Sequence, residues 1–74
     1  MNEFVETREA VERIKDIVSK DIQGGVRDWH IADLLEIPYP SFRNAIMKDR
    51  LPLKQITRYC YRNNMKEKLF EIIY

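Results

Sequence analysis

The chain has 74 residues, enough for one domain, and at that length only about 60% of the unfolded surface is buried on folding, so a minimal module of modest stability is expected. Apolar content of 45% with 34% charged residues argues against disorder, and no apolar run approaches the roughly 20 residues that a membrane-spanning helix needs. One cysteine, Cys60, and one histidine, His30, exclude a disulfide framework and a four-ligand zinc site. No metal, cofactor or membrane partner is expected, no signal peptide is recognisable, and the protein is expected in the cytoplasm.

The net charge is only +1, but it is unevenly spread. Residues 1–42 hold five Lys/Arg against nine Asp/Glu, a net of −4, whereas residues 43–74 hold eight against three, a net of +5. A basic half of this kind is what a nucleic-acid footprint requires.

Residues 3–20 predict a long amphipathic helix, in which Phe4, Val11, Ile14 and Val18 follow helical spacing with support from Ala10 and Ile17. Glu3, Glu6, Glu9 and Glu12 lie toward its start, the end where negative charge is favoured by the helix dipole. Its outer face reads as solvated, and its task as closing the core. Gly24 and Gly25 then mark a loop, without the spacing or the Lys-Ser/Thr ending of a phosphate-binding P-loop. Ile22 and Val26 are expected in the core. Arg27, beside the start of the next helix, suits a phosphate.

Residues 28–52 organise the chain as two short helices joined by a proline-marked turn. Asp28 is placed to cap the first helix, whose apolar face is Ile31, Leu34 and Leu35, with Ala32 small enough to admit a second helix closely. Ile37-Pro38 and Tyr39-Pro40 end it, because a residue before proline is pushed out of the α region. Pro40 suits the first position of the next helix, predicted over residues 40–49. Phe42, Ala45 and Ile46 form the inward set of that helix, leaving Ser41, Asn44, Met47 and Lys48 opposite and Arg43 on the flank.

This outward set matches a base-reading face. Arg bonds guanine O6 and N7 in a bidentate way, Asn does the same to adenine N6 and N7, and Ser contacts a base or a phosphate. Ser41, Arg43, Asn44 and Met47 are therefore candidates for base edges, and Arg27, Tyr39, Lys48 and Arg50 for phosphates.

Pro52 holds Leu51 extended, and a fourth helix follows to about residue 63 with Leu53, Ile56 and Cys60 inward. Lys54, Arg58 and Arg62 recur every four residues on another side, as phosphate contacts or as solvated surface. Asn63-Asn64 is a helix stop, since Asn tolerates left-handed backbone. In the terminal stretch, residues 65–74, Met65, Leu69 and Phe70 are expected to cap the core. Ile72, Ile73 and Tyr74 are more apolar surface than a small domain needs there and are the candidate partner surface.

His30 has no neighbouring nucleophile or acid at a catalytic spacing and reads as exposed helix surface, and Cys60 reads as a buried thiol. Trp29, Tyr59 and Tyr61 read as core and rim packing, with Tyr39 set apart because its hydroxyl lies at the mouth of the third helix. No enzyme is expected.

The stretches IADLLEIP (residues 31–38), Ser41-Phe42, Leu51-Pro52 and ITRYCYRNNM (residues 56–65) together resemble the helix-turn-helix domain of phage repressors, the lambda-repressor-like class, over residues 11–70. The resemblance implies an all-α, five-helix bundle that binds double-stranded DNA, works as a homodimer and regulates transcription. It also favours Lys54 over Arg58 and Arg62, because in that family the start of this helix lies nearest the phosphates. Two positions depart from the pattern. Glu36 stands where glycine is usual, and a non-glycine residue in the left-handed region costs roughly 1 kcal/mol or more, so the turn is expected to be built differently. Pro40 stands where glutamine is common and cannot donate to a base, which shifts reading to Ser41, Arg43 and Asn44. The near-neutral charge, Pro40 and the apolar tail favour an alternative, a protein-interaction module such as an antirepressor on the same fold.

Overall fold

The apolar periodicities become five helices in the computed structural model, which describes residues 4–20 and 25–74. They are α1 (Thr7–Val18), α2 (Asp28–Leu34), α3 (Tyr39–Met47), α4 (Leu53–Arg62) and α5 (Leu69–Ile73), the last entered through a 3-10 turn at Lys66–Lys68. No strand forms among the described residues, and no helix there is long and apolar enough to cross a membrane. The expected contributions of Glu3, Ile22 and Gly24 lie outside the described residues.

The first helix is shorter than its sequence period suggests. Glu6 is extended (φ −62°, ψ 151°), and the Val5 N–H donates to the Ile73 carbonyl at 2.9 Å, so the segment before Thr7 runs along α5. The cap of α1 comes from far away in sequence. The Thr7 N–H donates to Asp49 Oδ1 at 2.7 Å, and this carboxylate satisfies one of the donors that a helix start leaves unpaired. Ala10, Val11, Ile14 and Val18 of α1 are buried, as the period predicts, against α2, α3 and α5. Leu51, Pro52 and Leu53 make an inverse γ-turn: Pro52 has φ −78° and ψ 67°, and the Leu53 N–H donates to the Leu51 carbonyl at 2.8 Å. This bend starts α4, whose inner face is Ile56, Tyr59 and Cys60, with Leu53 half-buried.

The C-terminal expectation is corrected. Ile72 (0% exposed) and Ile73 (4%) are core residues rather than partner surface, because α5 packs on α1 and α4 and turns both side chains inward. Phe70, expected as a core cap, is 64% exposed, and Tyr74 is 55% exposed. Tyr74 stacks on Phe70 with centroids 5.5 Å apart and meets the Phe4 ring at 5.3 Å.

Three helices end alike. The residue beyond each C-cap is left-handed and not glycine: Glu36 (φ 57°) after α2, Asp49 (φ 51°) after α3 and Asn64 (φ 56°) after α4. Each is followed by a bond back across the last turn, from the Ile37, Arg50 and Met65 N–H groups to the Ala32, Ala45 and Cys60 carbonyls at 2.9, 2.8 and 2.7 Å. This is the Schellman arrangement that glycine usually serves. The α2–α3 turn is therefore built as a glycine would build it, contrary to the expectation from Glu36, and the side chain bears the strain. Glu36→Gly is accordingly expected to raise the urea midpoint. Asp49→Gly is not, since the same relief is offset by loss of the Thr7 cap, worth about 1 kcal/mol at a helix start. Equal gains in the two variants would mean that the cap contributes no more than the Glu36–Arg62 ion pair that the first variant loses.

Candidate nucleic-acid interface

The α2 start differs from its expected form. Asp28 is the first helical residue, and the cap position belongs to Arg27. The Arg27 N–H donates to His30 Nδ1 at 3.1 Å, so His30 caps the helix by reaching back one turn. Its ring lies stacked on Trp29, with centroids 3.7 Å apart. An arginine side chain has no acceptor to complete the reciprocal half of a capping box.

Asp28 is thereby released for another role, tying α2 to α1. Its Oδ1 lies 2.6 Å from Lys15 Nζ, and its Oδ2 lies 3.4 Å from Arg8 Nη1. The hydrogen bond from Lys15, with further attraction from Lys15 and Arg8, holds the carboxyl below the ordinary value of 3.8 despite partial burial. A carboxyl depressed on folding contributes stability above its unfolded pKa, and that contribution is lost as pH falls through the folded value. Asp28 should therefore add to the acid unfolding of the parent chain a loss of stability that begins near pH 3.8 and grows below it. Asp28→Asn should show a smaller loss over that window; identical acid limbs would remove Asp28 as a source.

In α3, Tyr39 rather than Pro40 is the first residue, and Pro40 occupies the second position, still within the turn where a missing N–H does no harm. Phe42 is fully buried and Ala45 and Ile46 are half-buried, so the inward face is the one its period predicts. Ser41, Arg43, Asn44, Met47 and Lys48 are all exposed. On a helix of 3.6 residues per turn, Pro40, Asn44 and Met47 form the crest. Tyr39 and Arg43 lie on one flank, Ser41 and Lys48 on the other. Met47 is 77% exposed.

The remaining candidates lie on the segments before and after this helix. Arg27 is exposed at the start of α2, Tyr39 is 40% exposed, Arg50 is exposed just past the α3 cap, and Lys54 is exposed in the first turn of α4. Two shallow depressions join some of them. Arg27, Trp29 and Tyr39 line one with Lys15 and Asp28. Tyr39, Arg43 and Met47 line the other with Arg8, Asp28 and Ile46. The Arg43 guanidinium stands over the Tyr39 ring, 6.0 Å from its centroid, which steadies both side chains. Ser41, Asn44, Lys48, Arg50 and Lys54 line neither depression.

Three acids of these segments, Asp28, Asp49 and Glu36, are engaged. Asp28 is paired with Lys15 and Arg8, and the Asp49 carboxylate accepts from Thr7. Glu36 forms an ion pair with Arg62, and that guanidinium, with a smaller contribution from Arg58, holds its carboxyl below the ordinary range. A chain of near-zero net charge thus exposes Arg27, Arg43, Lys48, Arg50 and Lys54, while Asp28 and Glu36 are held in ion pairs. Arg62, read as part of a basic stripe, is committed to the α2–α3 turn. Arg8 and Lys15 were not expected at this face. Their seven-residue spacing places them on one side of α1, but nothing local to α1 indicates that this side meets α2 and α3.

The architecture is that of an all-helical domain in which α2 and α3, joined through residues 35–38, expose a basic and polar side. No family model, curated protein or solved structure matches the chain.

Proposed function

We propose that the protein is a sequence-specific double-stranded DNA-binding domain of the lambda-repressor-like helix-turn-helix class and acts as a phage-type transcriptional regulator. The observation that carries the reading is the division of α3. Phe42 is fully buried, while Ser41, Arg43, Asn44, Met47 and Lys48 are exposed together on the remaining faces. A helix of nine residues with this division, held by a short turn against a helix that carries Arg27 at its start, has the dimensions and donors to enter a major groove.

In this reading α2 lies across the phosphate backbone and α3 in the groove. Arg43 and Asn44 supply the bidentate base contacts, Ser41 a shorter one, and Met47 an apolar contact of the kind a thymine methyl accepts. Arg27, Tyr39, Lys48, Arg50 and Lys54 hold phosphates. Pairing of two copies falls to Tyr74 with Phe70, since Ile72 and Ile73 are committed to the core.

Selection of sites from a randomised duplex library at physiological salt tests the reading. An enriched inverted repeat with half-sites about 10 bp apart is expected from a dimer. Failure to enrich any sequence, with only weak binding that vanishes as salt rises, would overturn it. The exposed Phe70–Tyr74 stack would then favour the protein-interaction module.

A further inference from the structure

Arg8, an exposed residue of α1, lines the same depression as Tyr39, Arg43 and Met47 of α3. Its side chain is 51% exposed, and both of its ion pairs are long, 3.4 Å to Asp28 Oδ2 and 3.9 Å to Glu12 Oε1. Lys15 differs. It is 19% exposed and bound to the same carboxylate at 2.6 Å, so the Asp28–Lys15 pair is the fixed member of the group and Arg8 the loosely held one. A guanidinium presents five donors in a planar fork, and long contacts to two carboxylates leave most of that capacity unused.

We propose that Arg8 of α1 is a phosphate ligand for duplex DNA and that Asp28 is its internal competitor. A backbone phosphate passing along the Arg43 flank of α3 takes the Arg8 guanidinium in place of the Asp28 carboxylate, which stays on Lys15. This inference rests on the DNA-binding reading and adds α1 to the helices that touch the nucleic acid. Exchange of one anion for another on Arg8 carries no sequence information, so its effect is the same for every duplex. Because the phosphate must displace a carboxylate, Asp28 lowers affinity for all duplexes alike. Arg8 then contributes one phosphate's share of the salt dependence, and Asp28 sets how much binding energy that contact delivers.

The test is the dependence of duplex affinity on salt for the parent chain, Arg8→Ala, Arg8→Lys, Asp28→Asn and the Arg8→Ala/Asp28→Asn double variant, using one selected and one random duplex. Loss of a phosphate contact reduces the slope of log affinity against log salt by roughly 0.9. Arg8→Ala is expected to show that reduction on both duplexes, and Arg8→Lys is expected to retain the parent slope. Asp28→Asn is expected to bind both duplexes several-fold more tightly, and the double variant is expected to lose that gain. A purely structural role for Arg8 would lower the melting temperature and leave the slope unchanged, so an unchanged slope with parent-like DNA binding overturns the inference alone. A tighter double variant overturns the competitor role of Asp28. A parent chain that binds neither duplex overturns the DNA-binding reading and this inference with it.

Discussion

Phe42→Ala is expected to cost about 3–5 kcal/mol, as large aromatic truncations in a closed core do. Phe42 is completely buried and is the largest of the fully buried side chains, and it belongs to the same core as Ile31, Leu35 and Ile14. A domain of this length holds roughly 4–11 kcal/mol in total, so the variant should lose a large share of its stability, and all of it if the parent stands at the low end of that range. In a urea titration followed by helix signal, the midpoint should fall in proportion to the stability lost. Phe42→Leu, which preserves most of the volume, should remain folded with a lowered midpoint. A Phe42→Ala midpoint near the parent value would mean that α3 is not seated as described, and the outward placement of Ser41, Arg43 and Asn44 would fall with it.

The second large effect concerns binding. Arg43→Ala and Lys48→Ala both remove a positive charge from α3 but are expected to differ in kind. A bidentate base contact discriminates by roughly 1–3 kcal/mol, so Arg43→Ala should lower affinity for the selected site and at the same time narrow the gap between that site and a variant at one base pair. Lys48→Ala should weaken binding to every duplex equally and flatten the salt slope by about one, as loss of a single phosphate contact does. Competition titrations with the selected duplex and its single-base variants separate the two. Identical behaviour in both substitutions would show that the roles are wrongly assigned. The Arg43 guanidinium over the Tyr39 ring adds a third variant: Tyr39→Ala should loosen Arg43 and reproduce part of its loss of discrimination.

The comparison between sequence and structure divides by distance along the chain. The inward faces of α1 and α3 are legible because an apolar side chain every three or four residues defines a helix face without reference to anything else. The tight connection between α2 and α3 is legible from its two prolines, and the Asn63-Asn64 stop from the tolerance of Asn for a left-handed backbone, which Asn64 adopts. The residues expected on the outward side of α3 are exposed for the same local reason. Even there, α2 and α3 each start one residue earlier than their spacing predicts, at Asp28 and Tyr39, because the first helical residue depends on which carbonyl the next turn uses.

Short repeats thus define the buried stripes of α1 to α4 and the polar side of α3, since each follows from spacings of only a few residues. Tertiary structure alone decided which charges are spent. Asp49 caps a helix 42 residues away, Asp28 draws Arg8 and Lys15 of α1 to the edge of the α3 face, and Glu36 engages Arg62. It also decided that Ile72 and Ile73 fill the core while Phe70 and Tyr74 face outward, since an apolar end can bury either side until α1 covers one of them. Helix periodicity is a property of the local backbone, but ion pairing and burial depend on which elements meet, and no spacing within one segment encodes that.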